Sequence, residues 1–155
     1  MTIGRCIALS VHGVIGDIGV PLGRLITKII PNTAGNSNTE FQVPAGKRWL
    51  FQYGIIHYNA DSTSVTRNVT IKITDKDDNL LAYVSKSQNI AADENLNHCI
   101  LQNIEGKGDL QPTYTSVTGI GKIILNQTDK FKIIISNGQA GDQYSGYIRF
   151  LEIDI

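Results

Sequence analysis

The oxygen-rich run Asp75-Lys76-Asp77-Asp78-Asn79 is the first place where side chains could hold an ion. Its alternating acid and amide oxygens copy the start of a calcium loop. Such a loop needs glycine at its sixth position, where this chain has Leu80, and a bidentate acid at its twelfth, where it has Lys86. The run therefore reads as a solvated hairpin turn. The imidazoles are His12, His57 and His98, and the thiols are Cys6 and Cys99. None stands at metal-ligand spacing. His98 and Cys99 are adjacent, and neighbours on a strand point to opposite faces, so one ion cannot easily take both. Two thiols so far apart are not a disulfide framework and read as buried thiols. Ser, His and Asp are present without a nucleophile elbow. Gly119-Ile120-Gly121-Lys122 lacks the length and the Ser/Thr of a phosphate loop. No catalytic, cofactor-binding or metal residue is assigned, no cofactor is expected, and the chain reads as non-enzymatic.

Aromatic side chains are the other chemistry on offer. Trp49, Tyr53 and Tyr58, or Tyr114, Tyr144 and Tyr147, could stack against sugars. Trp49 and Tyr53 fall in phase with Phe51, which favours core packing. Tyr144 lies in a loop-like stretch and is expected to be exposed.

The elements that must carry these groups are strands. Phe41 and Val43 alternate before a Pro44-Ala45-Gly46 turn. Trp49, Phe51, Tyr53 and Ile55 then share one face of a long strand, by the two-residue period. Both faces of that strand carry apolar groups, so it is expected to be central. Val69, Ile71 and Ile73 alternate with Asn68, Thr70, Lys72 and Thr74, which predicts a strand with one dry and one wet face. Leu80 to Val84 returns it as a hairpin. Strands are also expected over 98–102 and 113–117, with one helical turn over 91–96. Phe131, Ile133 and Ile135 mark a further strand. The last, over 146–155, changes phase near Phe150, which predicts a bulge there or a strand buried on both faces.

The first quarter has another texture. Glycines at 13, 16, 19 and 23 with Pro21 exclude a regular helix. Residues 24–30 are apolar enough to pair somewhere, and Pro31 is expected to end them. Residues 1–39 read either as an extended N-terminal segment or arm, or as ordinary edge strands. The domain proper is placed at 40–155. About seven or eight strands, with turn signals every roughly 8–12 residues, predict an all-β antiparallel β-sandwich of jelly-roll type. In it, the long strand after Gly46 and the last strand are expected to pair centrally.

Bulk properties narrow the partners. The 155 residues fit one domain and contain 14 basic and 14 acidic residues, for a formal net charge of +0. Such a chain presents no bulk field for nucleic acid or an anionic membrane. There is no run of the roughly 18 apolar residues that a spanning helix needs, and the start lacks the pattern of a signal peptide. Charged residues are only 18% of the chain, and low charge near neutrality favours association.

Three stretches in order carry a resemblance. VPAGKRWLFQYGIIHYNA, then RNVTIKITDKDDNLL, then LNQTDKFKIIISNGQAGDQYSGYIRFLEI are similar to small virion structural proteins of tailed bacteriophages. The likeness runs over about residues 40–155. It implies a jelly roll and a place in the virion, assembled in the host cytoplasm. It implies a capsid decoration or cement role, with the major capsid protein or other virion proteins as partners, and dimers or trimers of the chain. It supplies no active-site residues. The alternative is a tail-associated carbohydrate- or receptor-binding jelly-roll module. A cupin-like enzyme would need clustered His and acid ligands that the sequence does not offer.

Overall fold

The computed structural model describes residues 23–102, 107–110 and 115–155. Among them the chain forms eleven strands and no helix. The first six are β1 (Arg24–Ala34), β2 (Thr39–Gln42), β3 (Lys47–Asn59), β4 (Asn68–Thr74), β5 (Leu80–Lys86) and β6 (Asn95–Gln102). The rest are β7 (Lys107–Leu110), β8 (Thr115–Ile120), β9 (Ile124–Leu125), β10 (Lys130–Ser136) and β11 (Gln143–Asp154).

Four antiparallel pairs are nested: β1 with β11, β2 with β10, β3 with β6, and β4 with β5. A chain laid out as one long hairpin makes those pairs. Rolling the hairpin sends alternate pairs to opposite layers, β1-β11-β3-β6 in one sheet and β2-β10-β4-β5 in the other. That is the jelly-roll order, one of the ways an antiparallel fold manages its open edges. β7, β8 and β9 are an insertion between the sixth and seventh strands of the roll. β8 extends the large sheet beside β6, running parallel to it, β7 pairs with β8, and β9 pairs with β3.

The predicted central pair is present. β3 and β11 are the two longest strands and lie side by side. Between the sheets Trp49, Phe51, Phe131 and Phe150 form one aromatic cluster. Phe150 meets Phe51 and Phe131 edge-on at centroid distances of 6.0 and 5.3 Å. Such contacts add about 0.5–1.5 kcal/mol each beyond their burial. Ile71, Ile73, Ile133 and Ile135 face them from the small sheet, as alternation in β4 and β10 predicts.

Three expectations need correction. First, Tyr53 and Ile55 do not share the face of Trp49 and Phe51. Arg149 pairs with Tyr53 but Phe150 pairs with Phe51, so Gln52 is an extra residue in β3. The bulge turns the strand over, and Gly54, Ile56 and Tyr58 point inward after it. β11 itself keeps its alternation through Ile148, Phe150 and Glu152. Second, residues 24–34 lie inside the sandwich: β1 pairs with β11 and buries Ile30. Pro31 does not end it. It sits at a register shift between Ile30 and Thr33, on an edge strand where a missing N–H is tolerated. For residues 24–34 the pairing fits the edge-strand reading and not the free arm, while residues 1–22 lie outside the described residues. Third, residues 91–94 are a turn, not a helical turn, and β6 begins directly after it. Of the strand expected over 113–117, residues 113 and 114 lie outside the described residues, and β8 runs from 115 to 120.

Candidate interaction surfaces

The calcium-like run is consumed by its own turn. Asp75 Oδ1 accepts the N–H groups of Asp77 and Asn79, and its Oδ2 accepts Asn79 Nδ2 at 2.8 Å. Asp78 leaves the turn to receive Lys130 Nζ at 2.6 Å and Lys132 Nζ at 2.8 Å. His57 pairs with Asn97 across β3 and β6 and faces outward, so His98, the next residue on β6, faces the core. His12 and Cys6 lie outside the described residues, as does Tyr114. Among the described residues no cluster of three His, Cys, Asp or Glu could hold a metal ion.

His98 has a consequence for stability. Its ring is buried, with Nε2 3.1 Å from Ser85 Oγ, and burial pushes its pKa down from 6.5 to about 4. The unfolded chain therefore binds a proton that the fold refuses. This stabilisation is complete above the unfolded value and is lost as the pH falls from 6.5 towards about 4. The urea midpoint should drop between about pH 7 and about pH 4.5, and His98→Gln should flatten that part of the curve. An unchanged slope in the variant would show that other groups set it.

The densest polar site joins three loops at one end of the sandwich. Asp142 is fully buried, and its Oδ2 accepts Arg67 Nε at 2.8 Å, the Gln139 N–H at 2.7 Å and Tyr58 Oη. Its Oδ1 accepts the Asp61 N–H at 2.8 Å. Arg67 is fully buried too, and its other donors go to Asp61 and to the carbonyls of Thr63 and Val65. Burial alone would push the Asp142 carboxyl up, but its donors outweigh that and hold it at about 2. Burial and the neighbouring carboxylate raise the Tyr58 phenol well above its usual range. Glycine is required here, because a Cβ on Gly138 would lie 1.9 Å from the Gly35 carbonyl oxygen. Every one of these groups is spent on the protein itself, so the site is an anchor for loops 60–67 and 137–142. Neither Arg67 nor Asp142 was singled out as functional from sequence. The only signal was the Asn-Gly-x-x-Gly-Asp run, whose Gly138 and Asp142 are both required at this junction.

The aromatic candidates divide between inside and outside. Trp49 is buried, with Nε1 donating to Glu152 at 2.9 Å, and that bond holds the Glu152 carboxyl below its ordinary value, with help from Arg24. Tyr144 is also buried, contrary to expectation. It lies on β11, where its hydroxyl reaches Thr39 and the Ser37 carbonyl. Tyr53 and Tyr147 lie outside.

The two outer faces differ in kind. On the large sheet, register places Leu25 with Leu151 and Leu50, Thr27 with Arg149, Tyr53 and Leu101, and Ile29 with Tyr147, Ile55 and Cys99. These rows run outward across four strands and are mostly apolar. Leu25 is 52% and Ile29 65% exposed, Thr27 is exposed as well, and the others are half-buried by their neighbours. In the middle, the Arg149 guanidinium lies 5.4 Å from the Tyr53 ring, and Tyr53 meets Tyr147 edge-on at 6.1 Å. Arg149 Nε is buried and makes no hydrogen bond with a described residue. An antiparallel sheet that faced only water would carry polar groups here. The small sheet is the more polar: its outward rows are Asn68 with Ser136, Thr70 with Ile134 and Lys86, and Lys72 with Lys132 and Tyr83, although Asn68 and Thr70 are themselves buried, against the wet face expected for β4.

The fold class is thus a jelly-roll β-sandwich with one apolar and one polar outer face. No protein-family model matches the sequence, and no curated protein matches it. A structure of infectious bursal disease virus, Gt strain, is similar with a TM-score of 0.33 and 13% identity, over 87% of this chain and 32% of that one. The chain thus spans about a third of that protein's length. A likeness this distant carries no functional argument, and the jelly-roll assignment rests on the strand pairing.

Proposed function

We propose that this chain is a non-enzymatic bacteriophage virion protein, a capsid decoration or cement protein that bridges and stabilises shell subunits. The observation that carries this reading is the apolar outer face of the large sheet. Rows from Leu25 to Ile55, with an arginine lacking a carboxylate partner among the described residues, suit a protein surface that is apolar and bears an acid. The ordered sequence resemblance to tailed-phage virion proteins points the same way, and the major capsid protein is the proposed partner. Copies of the chain associate with one another as dimers or trimers at the same time.

The test is attachment to particles that lack the protein. Ile29→Asp and Tyr147→Asp place a charge on the outer face without touching the core. Changing a hot-spot residue at an interface centre costs about 2–4 kcal/mol, so particle affinity should fall by roughly 30-fold to 1,000-fold. Melting temperatures should stay close to the parent. If both folded variants decorate particles as well as the parent, this face is not the attachment surface and the reading loses its support.

A further inference from the structure

A groove of about 370 Å³ opens on the outer face of the small sheet, between β5, β4 and β10. Asn68, Thr70 and Ser136 line it with one amide and two hydroxyls. Tyr83 stands at its side with 65% of its surface exposed, and Lys72 Nζ sits 5.0 Å from the ring centroid. Lys86 and Ile134, on either side of Thr70, complete the lining.

The charges are segregated. The chain has no formal net charge, yet no acidic residue lines this groove. Lys130 and Lys132, further along the same face, are bound by Asp78. Lys72 and Lys86 form no ion pair with any described residue. Two cations without an acidic partner among the described residues, one exposed aromatic ring that Lys72 flanks, and the short polar groups of Ser136, Asn68 and Thr70, the last two set deep in the groove with the Thr70 hydroxyl 3.5 Å from Asn68 Oδ1, form a recognisable set. A pyranose lays its C–H face on an aromatic ring and exchanges hydrogen bonds with amides and hydroxyls. An anionic substituent then pairs with the ammonium groups.

We propose that this groove binds an acidic saccharide, one bearing a carboxylate or a sulfate. Its size lies near the lower end of small-ligand sites, about 300–1,000 Å³, which suits a terminal sugar better than a polymer segment. A nucleic-acid strand is disfavoured. It needs a continuous basic track and several stacking rings, whereas Asp78 and Glu40 occupy the next lysine along the face. Binding here is separate from particle attachment, because it uses the opposite face of the sandwich.

The experiment is a glycan array probed with the full chain, carrying sialylated, uronate-bearing and sulfated glycans beside their neutral counterparts. Calorimetry then uses the best acidic glycan with the parent, Tyr83→Ala, Lys72→Gln, Lys86→Gln and the control Lys122→Gln, an exposed lysine outside the groove. The acidic glycans should bind and the neutral ones should not. Each groove variant should weaken binding by about tenfold or more, and the control should leave it unchanged. Three results overturn the proposal: no acidic glycan binds, the groove variants bind like the parent, or the control loses as much as they do. In each case particle attachment by the same variants tests the decoration reading on its own.

Discussion

Arg67→Met is expected to destabilise the fold by about 3–5 kcal/mol, the usual cost of removing one partner from a buried ion pair. Asp142 would remain fully buried with its charge and lose the one cation bonded to it among the described residues, keeping the Tyr58 hydroxyl and two backbone N–H groups. The carbonyls of Thr63 and Val65 would lose their donor as well. Urea unfolding should show a lower midpoint with an unchanged slope. A loss under about 1 kcal/mol would mean that water enters the junction and solvates the acid.

The acid limb of the same site has a definite sign. The folded Asp142 carboxyl is held at about 2, against an ordinary value of 3.8. The unfolded chain thus takes up the proton first. The pair's contribution is complete above the unfolded value and disappears as the pH falls through 3.8 towards about 2. Asp142→Asn should lower stability near neutrality and flatten the slope in that window. This window lies below that of His98, so the two variants separate the contributions.

Removing residues 1–34 should abolish cooperative folding, whereas a chain starting at Gly23 should keep it. β1 makes nine register pairs with β11. It contributes Ile30 to the core, where burial of such a side chain is worth roughly 1.5–3 kcal/mol. Arg24 also holds Glu152 at 3.1 Å, beside the Trp49 indole. Without β1, the long β11 becomes an open edge, which invites aggregation. Thermal melts of the two truncations decide the matter. A cooperative transition near the parent's in the shorter chain would show that β1 is dispensable and would support a domain boundary close to residue 39.

The groove and outer-face variants test surfaces, whereas the Arg67, Asp142 and β1 changes test the frame that presents them. They also separate what alternation reveals from what pairing decides. β4, β10 and the Asp75–Asn79 turn follow from local pattern: Val69, Ile71 and Ile73, then Phe131, Ile133 and Ile135, point one way and are buried. The central partnership of β3 and β11 was legible from their length and double-sided apolarity. The face of Tyr53 was not. Whether Gln52 is in step or bulged depends on which residue of β11 it meets, and that information lies about a hundred residues away in the chain.

Residues 24–34 show the same division. Their composition suits any edge, and only β11 supplies the edge they join. Arg67 and Asp142 looked like loop residues because loops are where polar side chains are usually wet; here two glycine backbones, at 35 and 138, bring the loops close enough to exclude water. By itself the sequence determined the strands, the sandwich and the absence of a recognisable catalytic motif, since two-residue periodicity and turn chemistry are local properties. Only the tertiary structure decided which apolar rows stay outside and which lysines lack an acid, since both depend on the neighbours that the rolled topology assigns.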